Sequence, residues 1–121
     1  MDMEKSNVNS KLSLIHEYWN PHIVGELNGQ YVKLAKLKGE FVWHHHEDED
    51  ELFYLISGVL KIAFRDKTIE LHPQEFIIVP RGVEHKPIAE EEVCVMLFEP
   101  VSTLNTGNTK NELTRDQLNK I

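Results

Sequence analysis

Turn-forming residues interrupt this chain every few positions, and the apolar runs between them are only long enough for short strands. Val32 and Leu34 alternate with Lys33, and Leu60, Ile62 and Phe64 alternate with Lys61 and Arg65. Successive side chains of an extended strand point to opposite faces, so each such run has an apolar side that another layer must cover. Many short strands with turn signals at regular spacing close into a β-sandwich or barrel. The expected class is therefore all-β.

The spacing predicts a strand from Val32 toward Gly39, a turn at Gly39-Glu40 and a second strand over 41–46. The acidic run 47–50 reads as a loop, followed by a strand over Glu51–Ser57 that Gly58 breaks. A strand beginning at Leu60 turns at Asp66-Lys67 into a hairpin partner, Thr68–Leu71. After the turn at 72–75 come a strand over Phe76–Val79, a turn at Pro80-Arg81-Gly82 and a last long strand over 93–99. Near the start, Leu12, Ile15 and Trp19 recur at helical spacing behind Ser10, a potential cap. They predict one or two helical turns ending before Pro21. From Thr103 the chain is polar, with a short helix expected at 114–118. The organisation read from this is an N-terminal arm over 1–30, a barrel over 31–101, and a C-terminal tail over 102–121 that packs on the barrel or extends from it.

At 121 residues the chain makes one domain, enough to bury roughly two-thirds of its unfolded surface. A formal charge of −7 argues against nucleic acid as a partner, since that would want a basic face. A local basic cluster would still allow a phosphorylated ligand. The one cysteine, Cys94, sits in an apolar run and cannot form an intrachain disulfide, which fits a reducing cytoplasm. It reads as a core residue rather than a catalytic thiol. The first ten residues carry no apolar signal segment. No run is long enough to cross a bilayer. The expectation is a soluble, cytoplasmic protein with no membrane partner.

The chemistry concentrates at Trp43-His44-His45-His46, with Glu51 just beyond and His85 further along. In an extended strand His44 and His46 project together and His45 projects the other way. Two neighbouring imidazoles can reach a shared ion at ~2.0–2.2 Å. A polar patch beside an acidic turn would look similar, and His-rich tracts also bind metal adventitiously. The apolar flanks Phe41-Val42 and Leu52–Ile56 favour an interior position for the histidines.

Two motifs then carry a resemblance. Gly39, His44-x-His46, Glu51 and Gly58 match the first motif of the cupin superfamily, and Pro80-Arg81-Gly82-Val83-Glu84-His85 matches the second. The chain resembles a small single-domain bacterial cupin, which implies a double-stranded β-helix, or jelly-roll, barrel. Trp19-Asn20-Pro21, the run 36–43, and Glu99-Pro100 with Asn105-Thr106-Gly107 look like the same group. The Gly that usually opens the second motif is Gln74, and an Asn expected after the final His is Ala89.

The resemblance implies that His44, His46, Glu51 and His85 bind one divalent ion: iron, manganese, nickel, cobalt or zinc. Five acids run consecutively over 47–51, so Glu49 and Asp50 remain alternatives to Glu51. The other histidines, 16, 22, 45 and 72, read as surface or packing residues. Arg81 and Lys86 read as solvated charges, although they flank His85 and could meet an anionic substrate. Phe41, Trp43, Phe53 and Tyr54 read first as core, with some available to line a pocket.

Three functions fit this reading: a metal-dependent, oxygenase-type enzyme acting on a small organic molecule in the barrel, a sugar or sugar-phosphate isomerase, and a binding module without turnover. The isomerase would need a phosphate-binding cluster, for which Arg65, Arg81 and Lys86 are the candidates. No general base is evident beyond the ligands except Glu84. A homodimer is expected, with the arm before Tyr31 as a possible exchanged strand.

Overall fold

The computed structural model describes residues 3–121. Its elements are α1 (Val8–Leu12), β1 (His22–Leu27), β2 (Gln30–Glu40), β3 (Glu51–Ser57), β4 (Leu60–Ala63), β5 (Thr68–Leu71), β6 (Phe76–Val79) and β7 (Lys86–Pro100). All strand pairings are antiparallel. One sheet runs β1-β2-β7-β3-β6, and β4 joins β5 to the first half of β7. Residues 86–88 of β7 face β4, and residues 94–98 face β3. One long strand thus serves both walls, as expected of a jelly-roll barrel.

Inside the barrel, Ala35, Leu37, Phe41, Phe53, Leu55, Leu60, Ile62, Leu71, Val79, Ala89, Val93, Val95 and Leu97 form the main core with Trp19. Outside the larger sheet, Leu12 and Ile15 cover Leu34 and Cys94 in a second cluster. Cys94 is buried and free, as read from its apolar run.

The short strands over Glu51–Ser57, Thr68–Leu71 and Phe76–Val79 fall where the turn signals and apolar runs place them. Other expectations are corrected. The segment 22–27, read as part of an arm, is strand β1, and it pairs with β2. Its connection is Asn28-Gly29, with φ of 52° and 75°. Positive φ at both central residues is what a tight two-residue hairpin requires.

β2 does not turn at Gly39 but bulges there and continues to Glu40. β7 begins seven residues before Val93, running through Pro87 and the acids Glu90–Glu92. Pro87 lacks a donor, but its carbonyl accepts from the Phe41 backbone N–H at 2.9 Å. The expected helix at 114–118 is absent, and that stretch is irregular tail.

The N-terminal helix is shorter and earlier than its apolar spacing suggests. Asn7 caps it, accepting from the Ser10 N–H at 2.9 Å, so Ser10 lies inside the helix. A continuous helix would set Leu12, Ile15 and Trp19 on one face. Here Leu12 and Ile15 lie outside the sheet while Trp19 enters the barrel mouth and stacks on Phe41 at 4.7 Å. The chain therefore unwinds between them.

Candidate metal centre

The segment 41–46 is extended but carries only an isolated pairing, His44 with His85. His44 N–H donates to the His85 carbonyl at 3.1 Å, and His85 N–H returns to that of His44 at 2.9 Å. Gly82 N–H reaches the His46 carbonyl at 2.8 Å, tying the second turn to the same segment. The expected alternation holds. His44 and His46 are buried, while His45 turns outward toward Glu47 at 3.3 Å.

The other side of the segment is held by the C-terminal tail. Asn108 N–H donates to the His45 carbonyl at 3.0 Å, and Asn108 Oδ1 accepts from the His45 N–H at 2.9 Å. Thr109 Oγ1 donates to the Trp43 carbonyl at 3.2 Å. Gly107, at φ 55°, lies so close that an added methyl would run into the His45 carbonyl oxygen. The residues Asn105-Thr106-Gly107 thus begin a strap over the histidine segment.

His44, His46, Glu51 and His85 each offer a ligand atom, all within 4.8 Å of one another, and all four residues are buried. Donors bound to one ion at ~2.1 Å stand ~3–4 Å apart, so the cluster is near coordinating dimensions. The ring nitrogens fit this use. His44 Nδ1 lies 2.9 Å from the Val42 carbonyl, and His85 Nδ1 lies 2.9 Å from that of Val83. A carbonyl only accepts, so both Nδ1 atoms carry the proton and both Nε2 atoms keep a free lone pair.

His46 is more telling. Its Nε2 lies 3.3 Å from Glu51 Oε1 but out of line for a hydrogen bond, so both its nitrogens are buried without a partner. Orphaned buried nitrogens are costly in a folded protein. An ion at the centre of the cluster would satisfy Nε2, and the donor set of three imidazoles and one carboxylate suits a divalent transition metal.

Electrostatics point the same way. Burial, and then the neighbouring His85, lower the His44 pKa to about 4, so His44 stays neutral far below the usual imidazole range. Burial alone would raise Glu51. Close contacts with His46, His85 and Glu99 outweigh it and hold the carboxyl well below its ordinary value. Glu51 is thus an anion and His44 a neutral base, the forms that ligate.

Glu51 is the one member of the acidic run that enters the cluster. Asp50 turns outward to Arg81, accepting its backbone N–H at 2.9 Å, and Glu49 accepts from Ser102 at 2.7 Å. The surface charges are likewise paired: Arg65 with Glu84 at 3.3 Å, and Lys86 with Glu40 at 2.6 Å. Arg65 also lies over the Trp43 ring at 3.9 Å. Glu84 is therefore a surface partner of Arg65, away from the candidate ligands, and is corrected as a base candidate.

Beside the cluster lies a cavity of about 40 Å³. Trp19, Leu37, Phe41, Phe53, Val95 and Leu97 are among its apolar walls, so of the four aromatic residues considered from the sequence, Phe41 and Phe53 reach it. Two polar residues there escaped the sequence reading. Glu99 lines the cavity, and Lys33 holds it in an ion pair of 2.7 Å, with both side chains 1% exposed. Burial, reinforced by the Glu51 charge, raises the Glu99 carboxyl well above its ordinary value, while Lys33 pulls it down.

A β-helix barrel enclosing three histidines and a glutamate that could hold a metal ion is the architecture of a cupin. The cupin domain family matches residues 30–99, and the chain belongs to that family. It is 36% identical over 85 residues to the uncharacterized protein YdbB of Bacillus subtilis, a match covering 67% of this chain and 75% of that protein. A cupin-2 domain containing protein from Shewanella frigidimarina is 48% identical, with a TM-score of 0.78 over 78% of this chain and 93% of its own. Protein NMB1881 from Neisseria meningitidis is 31% identical, with a TM-score of 0.74 over 80% of this chain and 99% of its own.

Proposed function

We propose that this protein is a divalent-metal-dependent enzyme of oxygenase type, acting on a small organic molecule held in the barrel beside His44, His46, Glu51 and His85. The observation that carries the reading is His46, whose two buried ring nitrogens have no hydrogen-bond partner and whose ligand atom lies within 4.8 Å of three further donors. When bound, a divalent ion supplies Lewis acidity and, as iron, one-electron chemistry toward dioxygen. The chain's own residues do the rest. Val42 and Val83 fix the tautomers of His44 and His85, Glu51 brings negative charge, and the apolar walls exclude water. Cys94, a buried free thiol, suits the reducing cytoplasm in which we place the protein.

The phosphate-dependent isomerase reading receives less support. Arg65, Arg81 and Lys86, its candidate cluster, lie away from the cavity lining, each paired with a carboxylate. Among the described residues, no helix is long and apolar enough to cross a membrane.

The test is dioxygen uptake by anaerobically iron-loaded protein across a panel of diketones and vicinal diols. Uptake with one class, lost in His46→Ala, supports the oxygenase. Tight binding of panel members with no uptake under any of the five metals would replace it with a binding module.

A further inference from the structure

One polar atom in the cavity wall has nothing to bond. The polar residues of the lining are His44, Glu51, Glu99 and Asn105. Asn105 is engaged at both ends of its amide, donating to the Leu113 carbonyl and accepting from the Arg115 N–H, each at 2.9 Å. His44 Nε2 and the Glu51 carboxylate belong to the candidate metal cluster. Glu99 differs. Its Oε1 takes the Lys33 ammonium at 2.7 Å, and its Oε2 is buried without a hydrogen-bond partner.

Leaving a carboxylate oxygen buried and unmatched is expensive. A buried ion pair is often no more stable than apolar residues of the same volume. Lys33–Glu99 therefore makes poor sense as packing alone, at inward positions shared with Ala35, Leu37, Val95 and Leu97. It makes better sense as a preorganised acceptor, with one oxygen locked by Lys33 and the other left for a donor from outside the chain.

Glu99 stands against Glu51, close enough for their carboxyl groups to interact. The donor it serves must then sit within an atom or two of whatever group meets the ion. The small cavity limits that ligand to a compact molecule.

We propose that Glu99 is a ligand-binding residue whose Oε2 accepts a hydrogen bond from the hydroxyl of a small α-hydroxy carboxylate or α-hydroxy carbonyl compound. The other oxygens of that compound face the ion at His44, His46, Glu51 and His85, so the inference rests on the metal reading of the site. Lys33 is a positioning residue: it keeps the other Glu99 oxygen occupied and the free one aimed.

The test uses the full-length protein loaded with cobalt(II), its visible spectrum titrated with lactate and with pyruvate. These three-carbon acids differ at C2, a hydroxyl in one and a carbonyl in the other. Wild-type protein should bind lactate about tenfold more tightly, the scale of one hydrogen bond to a charged group. In Glu99→Gln the side-chain oxygen stays with Lys33 and the amide N–H faces the cavity. The preference should vanish or reverse toward pyruvate, with cobalt content by elemental mass spectrometry unchanged.

Equal binding of the two acids by wild type, or no spectral response to either, overturns the proposal without any variant. So does an unchanged lactate preference in Glu99→Gln. Loss of cobalt from the variant would assign Glu99 to orienting Glu51 instead. If Glu99→Gln does not fold beside a charged Lys33, the double variant Lys33→Met/Glu99→Gln removes the charge pair and takes its place. A wild type that takes up no cobalt overturns the metal reading itself, a result distinct from cobalt that binds without discriminating the acids.

Discussion

His44 shows how burial prepares a ligand. With a folded pKa of about 4 against an ordinary 6.5, it takes up a proton in the unfolded chain before it does so in the folded one. Between those values the unfolded state binds more protons, so this residue opposes folding increasingly as pH falls from 6.5 to 4 and is neutral in effect above 6.5. In metal-free protein its imidazole C–H resonance should titrate near pH 4 by NMR. A midpoint near 6.5 would mean that the ring is not buried as described. Lys33 is the second residue to test. Lys33→Ala strands Glu99 in the core, and should cost about 3–5 kcal/mol in urea unfolding.

The histidine pair was legible in the sequence because alternation alone separates His44 and His46 from His45. Glu51 was not separable from Glu49 and Asp50 by parity, since β3 is apolar on both faces. Its phase is set by pairing with β6, where Glu51 lies opposite the buried Val79. Lys33 and Glu99 were illegible for a related reason. Alternation of Lys33 with Val32 and Leu34 reveals two faces of β2 but not which one is covered by α1 and which by the barrel.

Among the elements, the hairpin β1-β2 had a clear local signal in Asn28-Gly29, obscured by reading everything before Tyr31 as an arm. The helix was mislocated because apolar residues on both sides of one sheet happened to fall at helical spacing. Gln74 adopts φ 74° where the motif usually has Gly, and it gives its N–H to the Leu55 carbonyl at 2.9 Å. A non-glycine residue in that region is strained by about 1–2 kcal/mol. Gln74→Gly should therefore raise the urea midpoint, by about 1 kcal/mol of stability after its own entropic cost; a lowered midpoint would show a role for the glutamine side chain.

The strap over the histidines gives the opposite result. Gly107→Ala must push the tail off His45, so it should weaken metal retention while leaving the four candidate ligands chemically intact. Elemental analysis after dialysis against a mild chelator reads this directly. Sequence pattern alone could not reveal the strap, because its contacts are single hydrogen bonds between two irregular segments and leave no periodicity.

At the scale of the molecule, the outward face of the larger sheet is unusually apolar. One row runs Ile78, Leu52, Phe98, Val32 across four strands, and a second runs Phe76, Tyr54, Met96, Leu34. Leu12 and Ile15 cover the Leu34 end, while Phe76 and Ile78 are 59% and 54% exposed on β6, which pairs only with β3. A second copy laying the same rows across these would cover both faces symmetrically. Sedimentation at micromolar concentration should give twice the chain mass, reduced to the monomer by Ile78→Lys. A monomeric wild type would leave the rows without that role.

The metal content of untagged protein purified anaerobically, with His46→Ala prepared beside it, tests the central claim most directly. Near-stoichiometric iron, manganese, nickel, cobalt or zinc in the wild type, lost in the variant, is the predicted result. Wild-type protein that carries no metal, and retains none after loading with each of the five, would contradict it.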